Sequence, residues 1–208
     1  TYRQYHNKTL KKRDSNMRHI VKDSELLSLS NWKRQNPNSN WNTFSGTEIY
    51  QELRKTLIDE QNQMCCYCEI AVTNNGNSCH VEHIKDRHNF PIETFNYGNL
   101  LASCQHTDSC GHKKETNYFI NFISPLQENC QNRFIYARNG RIMPFDENEN
   151  DAQDTINVLD LNCKRLVDRR KGIIKTLENT DNEYISLSLE NCIEWFNGFY
   201  TVIEYMNN

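Results

Sequence analysis

The chain has 208 residues, a formal net charge of -3, 37% hydrophobic and 25% charged residues. That length bounds the answer to one domain, or one domain with a helical extension, able to bury a core of ordinary size. The charge excludes a surface coated in positive charge, so any nucleic acid must be held by a local basic patch, and no apolar run approaches the ~20 residues a membrane span needs.

Residues 1–16, TYRQYHNKTLKKRDSN, are polar and basic and read as a flexible N-terminal extension with no visible signal peptide. From Met17 the chain turns more apolar, and 17–63 reads as an N-terminal helical segment. NWKRQNPNSNWNTF reads as a loop, marked by Pro37 and its Asn and Ser residues. SGTE at 45–48 has the form of a capping box, and Ile49, Leu53 and Leu57 follow at helical spacing. Together they predict a helix from about Thr47 to Gln63 that delivers the chain into CCYCE. TNNGN at 73–77 predicts a hairpin turn between the short strands EIAV and CHVEHI. KDRHNFPIETFNYG is a loop, NLLASC a strand or turn, and CGHKKETNYFINFI starts a helix near Gly111. FIYARNGRIMPF predicts a β-hairpin around Asn139-Gly140, and DENENDAQD a solvated loop. CKRLVDRRKGIIKTL is helical with a basic face whose default reading is solvated, the sharper one being contact with nucleic acid or a partner. TDNE at 180–183 is a second capping box before a helix carrying Ile185, Leu189, Ile193, Phe196 and Tyr200. Residues 126–208 therefore read as a hairpin and a C-terminal helical region.

Nine cysteines cannot all pair within one chain, and the absence of a visible signal points to a reducing, cytoplasmic setting. There, clustered cysteines favour metal over disulfides. Cys65 and Cys68 have Cys-x-x-Cys spacing, which lets a tight turn aim both sulfurs at one tetrahedral ion. Cys104 and Cys110 are the second pair, at a wider spacing, with His106 an alternative fourth ligand and Cys79 a weak one. Cys66, Cys79, Cys130, Cys163 and Cys192 otherwise read as small buried hydrophobes. On a strand, His80 and Glu82 would share a face, and His83 follows at the strand end.

The order of these blocks resembles an HNH endonuclease, the ββα-metal fold braced by a four-Cys zinc. CCYCE, HVEHI, FPIETFNYGNLLASC, CGHKK and VLDLNCKRLVDRRKGII together resemble the PtuB-type HNH proteins of Septu and retron-associated antiphage systems. The resemblance implies an α+β fold with the nuclease core over 64–125, flanked by N- and C-terminal helices. It implies His83 as general base, Glu82 as ligand of the catalytic ion and Asn99 as the residue that orients the base. His112 is the candidate second ligand, with Asp108 its rival, because Gly111 stands where many HNH proteins have Asn or His. His80 is placed on the ion or a phosphate oxygen, and Lys85, Arg87, Lys113 and Lys114 on flanking phosphates. The cofactors implied are a structural Zn²⁺ and a catalytic Mg²⁺ or Mn²⁺. The partners implied are a PtuA-type ATPase and, in retron-linked members, a reverse transcriptase with its RNA-DNA product. DNA is the substrate expected first. RNA such as tRNA, or an inactive zinc-stabilised adaptor, are the rival readings.

Overall fold

The structure is a computed structural model describing residues 17–207. The extension read at 1–16 lies outside the described residues. The fold is α+β, with two small two-stranded antiparallel sheets among helices and a hydrophobic core cluster that runs from Met17 to Ile203.

Helices α1 (Leu27–Gln35), α2 (Trp41–Phe44) and α3 (Glu48–Glu60) open the chain. The segment read as a loop around Pro37 is thus partly helical, because Leu29, Trp32, Trp41 and Phe44 bury apolar side chains on either side of it. Helix α3 is capped by Thr47, whose hydroxyl accepts from Tyr50 N at 3.2 Å, rather than by Ser45 of the expected capping box. It buries Leu53, Leu57 and Ile58 and ends at Glu60, short of Gln63. Just beyond it, Gln61 hydrogen-bonds both backbone groups of Ala102, at 2.7 and 2.8 Å, in the manner of a paired strand.

Strands β1 (Cys79–His83) and β2 (Leu100–Cys104) pair antiparallel, Cys79 facing Cys104 and His83 facing Leu100. EIAV therefore does not form a hairpin with CHVEHI. Its Ile70 and Ala71 make only isolated bridges to Gly198 and Met64, since β2, buried throughout, is the longer apolar partner. After β2 comes one helical turn, α4 (Gly111–Lys114), bounded by Cys110 and Glu115 with φ of 60° and 46°. Those positive φ values stop the longer helix expected here.

The hairpin β3 (Phe134–Tyr136) and β4 (Ile142–Pro144) forms with Gly140 at φ 86°. The acidic stretch read as a loop becomes helical in its second half, as α5 (Asn150–Val158), because Ala152, Thr155 and Ile156 are drawn into the core. Helix α6 (Lys164–Leu177) follows. The expected last helix is three pieces, α7 (Asn182–Glu190), α8 (Cys192–Phe196) and α9 (Tyr200–Met206). Asp181 caps α7 by accepting from Tyr184 N, and Asn197, Gly198 and Phe199, all with positive φ, break the run. Among the described residues no helix is long and apolar enough to cross a membrane.

Candidate active site

Two neighbouring clusters share the β1–β2 hairpin. In the first, Cys65 and Cys68 from the knuckle, Cys104 from the end of β2 and Cys110 from the start of α4 bring their sulfurs within 4.8 Å of one another. All four are buried. Four thiols in a closed tetrad are the donor set that suits zinc, and the cluster is able to hold such an ion. The knuckle is a tight loop: Glu69 N donates to Cys65 O at 3.1 Å, and Glu69 takes a φ of 61°. Burial works to raise the Cys65 pKa, but hydrogen bonds from its neighbouring thiols pull it well below the usual thiol range. Cys79 and His106 stand outside the tetrad.

The second cluster lies along β1. Glu82 is buried, and its Oε1 receives Lys114 Nζ at 2.9 Å and the Tyr67 hydroxyl at 3.1 Å. Its Oε2 faces His80 Nε2 at 3.4 Å. Burial pushes the Glu82 pKa up, but His80 and Lys114 outweigh it and hold the carboxyl below its ordinary range. Gly111 leaves a gap on the Oε2 side: a Cβ there would lie 2.5 Å from Oε2 and 2.7 Å from His80 Nε2.

His83 ends the strand. One ring nitrogen, Nε2, sits 3.0 Å from the carbonyl of Thr94, which can only accept. Nε2 therefore carries the proton and Nδ1 carries the lone pair. The edge of Trp41 packs on the ring, centroids 4.3 Å apart. Burial, aided by the charges of Arg87 and Lys114, lowers the His83 pKa to about 4. The imidazole is neutral at pH 7. Asn99 staples the loop that carries Thr94: its Oδ1 accepts from Lys85 N at 2.8 Å, and its Nδ2 donates to Lys85 O at 3.0 Å and Glu93 O at 3.1 Å.

Several expected residues fall elsewhere than their expected roles. Lys114, grouped with the phosphate binders, is fully buried and spends its ammonium on Glu82 and on His83 O at 2.9 Å. Lys85 pairs with Glu93 at 3.0 Å. Asp108, the rival metal ligand, is held by Arg165 at 2.8 Å. His112 is exposed and lies beside His80, ring centroids 4.7 Å apart, but it does not join Glu82 and His80 in a closed donor group. Arg87 and Lys113 remain exposed. On the basic helix α6, Arg170 is buried against the carbonyls of Gly140 and Leu161, and Arg169 reaches Phe196 O. Much of its charge is thereby used inside the fold.

Sequence reasoning missed Tyr67, Trp41, Thr94 and Gln105. Tyr67 carried a local signal, since it sits inside the Cys-x-x-Cys turn; Trp41 carried none, because its contact with His83 is made only by the packing of α2. Trp41 and Thr94, the two neighbours of the His83 ring, also line an open groove of about 460 Å³ with Asn40, Asn42 and Arg87. Arg87 lies over the Trp41 ring at 5.5 Å.

A strand-borne carboxylate and neutral histidine, next to a thiol tetrad, define a class of site suited to metal-assisted hydrolysis. No protein-family model matches the chain. It is 25% identical, across 88% of its length and 89% of the relative's, to an Escherichia coli protein assigned by name as the HNH endonuclease of retron Ec83. It is 29% identical, across 71% of its length, to the Septu protein PtuB of Bacillus thuringiensis, of which it spans 53%. Both relatives support the resemblance to PtuB-type HNH nucleases of defence systems that the motifs carry.

Proposed function

We propose that the chain is a metal-dependent HNH endonuclease that hydrolyses phosphodiester bonds of nucleic acid, DNA first. In this reading it is the effector subunit of an antiphage complex, controlled by a PtuA-type ATPase. In this reading the ββα-metal core is 64–125, flanked in sequence by 17–63 and 126–208. The observation that carries the reading is the setting of His83: buried, neutral, tied through Nε2 to a carbonyl, and next to Glu82 on one strand.

His83 Nδ1 takes the proton from the attacking water, the task a neutral imidazole performs near pH 7. Thr94 keeps the ring in the required tautomer, and Asn99 keeps Thr94 in place by bracing its loop. Lys114 and Tyr67 saturate one oxygen of Glu82, which leaves the other directed at His80 and the gap over Gly111. The donor chemistry on that side fits a divalent ion, Mg²⁺ or Mn²⁺, which supplies positive charge to the scissile phosphate and leaving oxygen when held by Glu82 with His80 and His112 beside it. Zn²⁺ in the Cys65, Cys68, Cys104, Cys110 tetrad is structural. Arg87, in the groove beside His83, and Lys113 hold flanking phosphates.

The test is cleavage of DNA and of total RNA by the chain co-expressed with its ATPase partner. Wild type and His83→Ala are compared, with Mg²⁺ or Mn²⁺ and with EDTA. Loss of cleavage with the mutant and with EDTA is the expected result, and the degraded pool names the substrate. Equal behaviour of wild type and mutant, with zinc retained, would replace the nuclease by a binding adaptor.

A further inference from the structure

The groove beside His83 lies between two stretches of chain, 37–42 leading into α2 and 87–95 after β1, and encloses about 460 Å³. That is room for one ligand of nucleotide size. A proline in each stretch, Pro37 and Pro91, fixes a backbone torsion there.

Several of its polar groups bond to nothing inside the fold. The Asn42 amide is exposed and, like the Ser39 hydroxyl, makes no hydrogen bond among the described residues. Asn40 spends its Oδ1 on Thr43 N at 3.0 Å and on the Thr43 hydroxyl at 3.3 Å, so its Nδ2 is left free to donate. Arg87 is exposed, lies over the Trp41 ring at 5.5 Å, and has no carboxylate within ion-pair distance among the described residues.

A guanidinium resting on an indole has one face covered and the other free, and a nucleic-acid base stacks on such a plane. The base must bring a free face of its own. In a duplex both faces of each base are covered by the neighbouring steps, so only an unpaired or extruded base can use Arg87. An unpaired base also exposes the hydrogen-bonding edge that pairing would occupy, and the two asparagine amides and the Ser39 hydroxyl match that edge in kind. Trp41 and Thr94, which line the groove, are also the contacts of the His83 ring. A nucleotide seated there brings its own phosphate towards a histidine that is only 7% exposed.

We propose that this groove takes one unpaired nucleotide next to the scissile phosphate, with its base stacked on Arg87 and its edge read by Asn40, Asn42 and Ser39. The chain then acts on unpaired stretches of nucleic acid in preference to continuous duplex. The proposal rests on the nuclease reading for the cleavage; the binding preference of the groove is independent of it. At Arg87 charge and plane are separable. The N–H groups at its edge reach the phosphate, and its face carries the base. Lysine keeps the charge and has no plane.

Binding is measured by fluorescence anisotropy on the full chain with zinc in its thiol tetrad. The buffer holds no added divalent ion, so binding is read apart from cleavage. The probes are a short single strand of mixed sequence, the blunt duplex of that sequence, and the same duplex with one unpaired nucleotide, each as DNA and as RNA. The variants are Arg87→Lys, Arg87→Ala and Asn40→Asp, which keeps the helix cap but cannot donate. The single strand and the bulged duplex should bind at least roughly fivefold more tightly than the blunt duplex. Arg87→Lys should keep the salt dependence of wild type yet lose roughly 5- to 100-fold in affinity for the unpaired probes. Arg87→Ala should lose the affinity and also lower the salt slope by about 0.7. Asn40→Asp should weaken the unpaired probes by roughly 3- to 10-fold.

Equal binding of the blunt duplex overturns the proposal, as does no binding of any probe. Full rescue by Arg87→Lys also overturns it, because Arg87 would then be a phosphate contact alone. If Arg87→Ala does not fold, Arg87→Lys and Asn40→Asp decide: affinity lost with circular dichroism unchanged supports the proposal, and affinity unchanged overturns it. The same probes are then given to the complex assembled with the ATPase partner, with Mg²⁺ or Mn²⁺. No cleavage of any probe, with the binding preference intact, would remove the nuclease reading and leave the groove standing. Equal cleavage of every probe by wild type and Arg87→Lys would keep the nuclease and remove the groove.

Discussion

In the proposed nuclease His83 serves as the base because the fold denies it a proton. Burial first, then the charges of Arg87 and Lys114, bring its pKa from 6.5 to about 4. The unfolded chain binds that proton near pH 6.5 and the folded chain refuses it, so stability falls as pH drops from about 6.5 towards 4. Between pH 7 and pH 5 the loss should be about 2 kcal/mol greater in wild type than in His83→Gln, as read by denaturant unfolding at the two pH values. The same position should matter to rate: His83→Ala is expected to lower cleavage by roughly 10²- to 10⁴-fold, the usual worth of a general base. Lys114 makes a different prediction. Replacing it with Met leaves Glu82 buried without its cation, at a cost of about 3–5 kcal/mol. The double variant with Glu82→Met should recover much of that stability in the same unfolding assay. At Gly111 the issue is space. Gly111→Ala puts a methyl 2.5 Å from Glu82 Oε2, and a displacement near 1 Å is expected to cost roughly 100-fold in cleavage rate. The types and order of Glu82, His83 and Asn99 were legible in the sequence, because their chemistry is bound to their spacing along β1 and the loop after it. The burial of Lys114 was not. Which face of one helical turn is covered depends on a strand some 30 residues away.

At the scale of elements, period and punctuation found α3, the β3–β4 hairpin and α6. They misassigned the partner of β1. EIAV and CHVEHI satisfy the local rules of a hairpin, yet β1 pairs across the longer 84–99 loop with NLLASC. The side chain of Gln61 and the backbone of Cys66 then seal the far edge of β2 at Ala102. Pairing was decided by burial of both faces, which no local signal encodes. The break between α8 and α9 has the same kind of cause. Gly198 takes a φ of 101°, and a Cβ on it would lie 2.0 Å from Glu69 O. Phe199 N donates to that same carbonyl at 2.8 Å. Gly198→Ala should therefore cost more than about 1 kcal/mol and lower the midpoint of thermal unfolding, although the residue is remote from His83 in sequence.

Across the whole molecule, the thiol tetrad ties together the knuckle after α3, the end of β2 and the start of α4. Structural zinc is worth on the order of 10 kcal/mol to small domains. Stripping it with a strong chelator should unfold the 64–125 region, as seen by circular dichroism and metal analysis. Zn²⁺, and not Mg²⁺, should restore it. The paired cysteines made this tie legible from the sequence. The second tie was not: Glu69, one residue past Cys68, is buried and accepts from Thr201 N at 2.8 Å and from its hydroxyl at 3.0 Å, 132 residues along the chain. A carboxylate at that position reads as surface until its partner is known. This second tie also sets a timetable. A ribosome adds about 5–20 residues per second, so the metal knuckle emerges on the order of ten seconds before Gly198 and Thr201 exist to buttress it. During that interval the nascent strand presents its thiols to metal while its far support is still unwritten.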